Sequence, residues 1–129
     1  MNLNRSTVVV WFEIPTDDFE RAIGFYEAIL GVALRRESMA EGIHLAVFPY
    51  EKPGISGCVV SGKPYHPARD GNGPVVYLNC DGQLDGVIAR VEPAGGKLAG
   101  PKIDLPGEMG TFIHIIDSEG NRIGLHAVR

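Results

Sequence analysis

Cysteine is scarce. Cys58 and Cys80 are the two in 129 residues, too few for a disulfide framework, and they read as buried, reduced thiols of a cytoplasmic protein. Long apolar runs are missing as well. The longest, residues 8–12 and residues 28–34 counting Gly31, fall far short of the roughly 20 residues that a membrane-spanning helix needs. The opening Met-Asn-Leu-Asn-Arg has no apolar stretch of the kind a secretory leader carries. Basic charge is short: 12 Lys and Arg face 16 Asp and Glu, for a net charge of −4. The basic residues form no cluster, so neither nucleic acid nor a membrane is an expected partner. There is no Gly-x-Ser-x-Gly, phosphate loop, Cys-x-x-Cys or His-Glu-x-x-His, which removes the common signatures of hydrolases, nucleotide enzymes, dithiol redox proteins and zincins.

What is present is an ordinary soluble composition, 44% hydrophobic and 22% charged, of a length that suits one domain. Glycine is abundant, 17 residues or about twice the average share, which points to many turns or to strands that pass close to something. Residues 7–14 read as a strand, rich in β-branched and aromatic side chains and closed by Pro15. Asp17 looks like a helix cap, with Glu20 at the reciprocal spacing. Phe19, Ala22, Ile23, Tyr26, Ile29 and Leu30 then make one apolar stripe, and Gly31 stands where a left-handed cap belongs. Strands are expected over residues 32–37, 43–48 and 55–61, followed by a Gly/Pro-rich loop over 62–73.

The pattern then restarts. A strand is expected over residues 74–80, a cap at Asp81, and a weaker helix with Leu84, Val87, Ile88 and Val91 on one side. Strands over 97–103, 111–116 and 122–127 complete it, with Asp117-Ser118-Glu119-Gly120-Asn121 as the turn between the last two. Asp17 and Asp81, Gly31 and Gly95, and Leu34 and Leu98 all lie 64 residues apart. The chain therefore reads as two repeats, 7–61 and 74–128, within a single domain 1–129. The expected fold is α+β: two βαβββ modules forming a curved, mostly antiparallel eight-stranded sheet with an open cavity.

The order of Phe-Glu-Ile-Pro at 12–15, Asp18, Arg21-Ala22, Phe25-Tyr26, Gly31, Gly95-Gly96-Lys97 and residues 117–121 followed by Ile123-Gly124-Leu125 resembles the vicinal oxygen chelate superfamily. That group includes glyoxalase I, extradiol dioxygenases and bleomycin-resistance proteins. The resemblance implies a homodimer and a small-molecule ligand in the concave cavity. It also implies a metal held by one residue from each of four strands. The matching positions are Trp11, Gly57 (to within one residue), Val75 and Gly124, none of which ligates through its side chain. The usual metal site is therefore expected to be missing, and no cofactor is expected.

Strand alternation extends these positions. Glu13 shares a face with Trp11, Tyr77 with Val75, and His126 with Gly124. The resemblance places His114 at a position facing the site in the dioxygenases; Phe112 shares its face, and the repeat mates are Ala46 and His44. The expected lining is Trp11, Glu13, His44, Val75, Tyr77, Phe112, His114 and His126, with Gly57 and Gly124 leaving room. Three functions follow. The first is a metal-independent binder of a small aromatic or amphipathic molecule. The second is a lyase, isomerase or dioxygenase-like enzyme using Glu13, His114 and His126 as acid/base groups, or as a displaced two-His-one-carboxylate site for a divalent metal. The third is a non-catalytic dimeric interaction protein.

Overall fold

A computed structural model describes residues 7–68, 70 and 72–129. Chain order is β1 (Glu13–Pro15), α1 (Phe19–Leu30), β2 (Arg35–Ala40), β3 (Ile43–Val47), β4 (Cys58–Ser61), β5 (Val76–Asn79), α2 (Leu84–Val91), β6 (Lys97–Leu98), β7 (Ile103–Asp104), β8 (Thr111–Ile116) and β9 (Arg122–Ala127). The architecture is α+β. In place of one eight-stranded sheet, the described strands form two, ordered β1-β4-β3-β2 and β5-β9-β8-β6, with β7 also on β8. The extra strand arises because the expected strand over 97–103 is broken. Ala99-Gly100-Pro101-Lys102 interrupts it, Gly100 taking φ 144, and the two ends pair separately with β8. Each sheet has one parallel pair, β1 with β4 and β5 with β9; the other pairings are antiparallel.

The main core lies between the helices and one face of each sheet. Ile23, Tyr26 and Ile29 of α1 and Val87 and Val91 of α2 pack with Ile14, Val59, Leu78, Ile113 and Leu125. The first strand is shorter than expected. Residues 7–12 form no ladder, although the Phe12 carbonyl still accepts from the Cys58 amide at 3.0 Å. The cap of α1 is Asp18, not Asp17, and its side chain accepts from the Arg21 amide. Glu20 makes no capping box; it pairs with Arg36 on β2. Gly31 closes the helix at φ 66, as expected. Asp81 does not cap α2, whose N-cap Gln83 makes no side-chain bond. Instead Asp81 accepts from the Val128 amide at 2.6 Å.

The turn 117–121 does far more than reverse the chain. Asp117, buried, accepts from the Tyr26 hydroxyl at 2.5 Å, from the Glu119 and Asn121 amides, and from the Asn121 side chain. Glu119 accepts five hydrogen bonds: the Asp17 and Asp18 amides, two from Arg21, and one from Ser118. Asn121 donates to the Pro15 carbonyl at 2.9 Å. At the other end of α1, Arg90 of α2 donates to the Ile29 carbonyl at 3.0 Å. The helix is thus gripped at both ends by the second half of the chain, with a carboxylate at its positive end and a guanidinium at its negative end. Burial opposes ionisation of Glu119, but hydrogen bonds from Arg21, the Asp18 amide and Ser118 outweigh it and hold its pKa below the usual 4.5.

Gly96 serves the same junction. A Cβ there would sit 2.7 Å from the Phe25 ring and 2.8 Å from the Ile116 carbonyl oxygen, so only glycine admits this close approach. Gly24, in contrast, has open space around its Cβ position.

Two stability predictions follow from these contacts. Glu119→Ala should cost about 2–4 kcal/mol in urea denaturation at pH 7, because charged donors lose their acceptor. The wild-type contribution is present above pH 4.5 and lost as pH falls through the lower folded value, so the penalty should shrink at acid pH. Gly96→Ala should destabilise by about 1–3 kcal/mol, whereas Gly24→Ala should stabilise by about 0.5–1 kcal/mol.

Candidate functional site

The two sheets each keep one face clear of the helices. On the first, Val47, Cys58 and Val60 form a small apolar cluster against which Ile43, Leu45 and Tyr65 pack. Glu13 stands beside Cys58 in register, next to the Tyr65 hydroxyl, whose pKa it raises mainly by its charge. Tyr65 comes from the Gly/Pro-rich loop, so that loop covers part of this face; Arg69 and Gly71 of it lie outside the described residues. Burial, then the charge of Glu13, pushes the Cys58 thiol up to about 12. Burial likewise raises Cys80, to about 11. Both thiols are free and buried.

The second helix-free face holds most of the polar chemistry. Register places Tyr77 opposite Gly124, and Gly124 opposite His114. The Tyr77 oxygen lies 2.7 Å from His114 Nε2, and Arg122 Nη1 lies 3.2 Å from His114 Nδ1. A guanidinium only donates, so Nδ1 is the acceptor and carries no proton. The single proton of the neutral ring sits on Nε2, which donates to the Tyr77 oxygen. The Tyr77 hydroxyl proton is then left to point elsewhere, and Tyr77 is 49% exposed. Burial, and next the charge of Arg122, lowers the His114 pKa from 6.5, so the ring is neutral at pH 7. Phe112 walls the group, its ring centroid 5.6 Å from Tyr77 and 5.4 Å from His114.

Tyr77, Phe112, His114, His126 and Gly124 thus share one face, and Arg122 joins them. Alternation back from Gly124 reaches Arg122 as alternation forward reaches His126, since residues two apart share a side. His126 Nε2 donates to the Met109 carbonyl at 2.7 Å, so it anchors the loop before β8. His44 is on the other side of its sheet. It lies 3.2 Å from Ser38 and its ring is 6.2 Å from Phe19 of α1, because β3 pairs it with Ser61 and not with the Cys58 row. Gly57 and Gly124 leave no vacant room. A Cβ at Gly57 would meet the Phe12 ring at 2.5 Å, and one at Gly124 would meet the Tyr77 ring at 2.2 Å. Trp11 is 39% exposed, just ahead of β1.

The implied metal positions can now be tested. Tyr77 is the repeat mate of Glu13, and it pairs with Gly124 while Glu13 pairs with Cys58. The mate of Gly124 is therefore Cys58, not Gly57. Trp11, Cys58, Val75 and Gly124 offer one thiol held protonated, which does not fit a divalent metal. Glu13, His114 and His126 are not gathered into a ligating cluster, and no three His, Cys, Asp or Glu side chains among the described residues are.

A separate cavity of about 640 Å³ lies on the helix side, between the segment leading into β1, the end of α1, β5 and the start of α2. Val75 and Tyr77 border it; Phe12, Leu30, Val32, Phe48 and Val87 form much of its wall. Among the described residues no helix is long and apolar enough to cross a membrane.

Residues 8–125 match the family model of the Glyoxalase/Bleomycin resistance protein/Dioxygenase superfamily. "Putative glyoxylase CFP32" of Mycobacterium bovis and its namesake in Mycobacterium tuberculosis are each 28% identical over 118 residues. The match takes in 92% of this chain but 43% of theirs, so the chain spans less than half the length of these relatives. Among solved structures, a glyoxylase/bleomycin resistance protein/dioxygenase domain from Frankia sp. EAN1pec superposes with TM-score 0.71 at 15% identity, over 97% of this chain and 100% of that one. A glyoxalase I mutant from Zea mays gives TM-score 0.68 at 21% identity, over 92% of this chain and 45% of that one. At these identities the likeness is one of fold.

The His114 arrangement makes a spectroscopic prediction. In an NMR titration its ring should protonate below pH 6.5, and Arg122→Ala should raise that midpoint by removing the nearby charge. A midpoint unmoved by Arg122→Ala would contradict the contact.

Proposed function

The chain belongs to the Glyoxalase/Bleomycin resistance protein/Dioxygenase superfamily, and on that footing we propose that it binds a small organic molecule on the helix-free face of its second sheet, without a metal. The observation that carries this reading is the line Arg122–His114–Tyr77. Arg122 fixes the tautomer of His114, His114 occupies the Tyr77 oxygen as acceptor, and the Tyr77 hydroxyl becomes a donor aimed at whatever lies on the open face. Phe112 offers an aromatic wall beside it. The ligand suited to this place has an apolar, ring-bearing body and a carbonyl, phenolate or ether oxygen to accept from Tyr77.

A second reading, proton transfer in a lyase or isomerase, is favoured by one feature. Glu13 and Arg122 border the same small pocket, lined by residues of β1 and β9. A substrate held by Tyr77 would bring its neighbouring carbon toward that side, with Glu13 as base and Tyr77 polarising the oxygen. His114 would keep Tyr77 oriented. Binding comes first in both readings, since the same hydroxyl holds the oxygen.

The test is a thermal-shift screen of oxygenated aromatic compounds, repeated with variants. Compounds that raise the Tm should lose about tenfold in affinity with Tyr77→Phe, the worth of one hydrogen bond, and more with Phe112→Ala. Affinity should be flat at neutral pH and fall in acid as His114 protonates below pH 6.5, because Nδ1 can then no longer accept from Arg122. If the hits shift both variants as strongly as the wild type, the ligand sits elsewhere. If a substrate is found and Glu13→Gln turns it over at the normal rate, the proton-transfer reading is wrong.

A further inference from the structure

The two halves of the molecule are similar in plan but not in how their helices are seated. The start of α1 is filled by Asp117, Glu119 and Asn121 from the turn between β8 and β9. The corresponding stretch beside α2, between β3 and β4, supplies Phe48, Pro49, Ile55 and Ser56. None of these caps α2, whose N-cap Gln83 makes no side-chain capping hydrogen bond. Asp81, just ahead of the helix, is turned away to the Val128 amide, and Asp85 in its first turn pairs with Lys102. The helix has 8 residues against 12 in α1. Where the first junction is packed with buried polar groups, the second leaves the cavity of about 640 Å³.

The walls of that cavity specify an occupant. Among the described residues no Asp, Glu, Lys, Arg or His borders it, so an ionised molecule entering it would lose its water and gain no counter-charge from them. Phe12 and Phe48 present rings 5.8 Å apart and tilted by 35°, with Leu30, Val32 and Val87 around them. The Ser56 hydroxyl already donates to the Phe48 carbonyl at 2.8 Å. The remaining polar residues on its border, Tyr77, Asn79 and Gln83, are all exposed, as is Ile55 at 40%, and the Tyr77 oxygen is engaged by His114. The volume lies within the range of small-molecule pockets.

We infer that this helix-side cavity is a second binding site, for an uncharged, mainly hydrocarbon molecule of one or two rings. It differs from the site on the other face of β5 in its chemistry, neutral and apolar here, oxygen-bearing there, although Tyr77 of that strand borders both. Because Cys80 borders the cavity and Cys58 faces the other way, occupancy distinguishes the two thiols.

The experiment uses the neutral dye N-phenylnaphthylamine, whose emission rises in apolar surroundings, with unsubstituted naphthalene as competitor. The dye should saturate at one molecule per chain. Ile55→Trp combined with Val32→Trp should weaken it by about tenfold or more by filling the mouth and wall, while His114→Ala should leave it unchanged. Naphthalene should slow the modification of Cys80 by a neutral thiol reagent, read by peptide mass spectrometry, and leave Cys58 unaffected. That measurement needs no variant and stands if the double substitution does not fold. No saturable dye binding would overturn the inference. So would dye binding indifferent to the double substitution, or equal reactivity of Cys80 with and without naphthalene. Loss of binding in His114→Ala would move the dye to the Tyr77 face and count for that site instead.

Discussion

Everything in this fold leans on the buried carboxylate of Glu119. Its side chain has no exposure to solvent, and a charge in that position is tolerable only if it is fully hydrogen-bonded. The five donors that satisfy it come from the stretch leading into α1, from Arg21, and from its neighbour Ser118. The far half of the chain therefore dictates where α1 begins. With Arg90 holding the other end of the helix, the relative placement of the two sheets follows. That placement puts Glu13 and Arg122 on the border of one small pocket and leaves the Tyr77 face open.

Periodicity carried the fold a long way. The apolar stripe of α1, its glycine cap, and the alternation of β8 and β9 are all legible because each depends on neighbours a few residues away. The same rule placed Tyr77, Phe112, His114 and His126 together correctly. It failed where the partner is remote. Asp117 and Glu119 look like turn residues, and nothing local announces that their acceptors serve Tyr26 and Arg21, which lie 91 and 98 residues earlier. His44 failed for a related reason. Its face depends on the register of β3 against β4, and a slip of one residue exchanges the two sides of a strand.

The glycines teach a sharper lesson. Gly57 and Gly124 were expected to leave space for a ligand, and each does stand beside space, but an aromatic ring from the neighbouring strand already fills it. Phe12 lies over Gly57 toward the core, and Tyr77 lies over Gly124 toward solvent. The same pairing of ring and glycine thus appears in both halves on opposite sides. In the first half it completes the interior; in the second it presents a hydroxyl.

The unequal seating of the two helices has a dynamic consequence. Native proteins open in parts, and the parts with fewest satisfied backbone groups and shortest helices open first. Here that part is the start of α2, with its uncapped first turn beside the cavity. Amide hydrogens of α2 should exchange through openings that leave α1 and its carboxylate lock closed. Passage into and out of the interior can then occur by brief fraying of one helix end, on a timescale set by local breathing and not by separation of the two sheets.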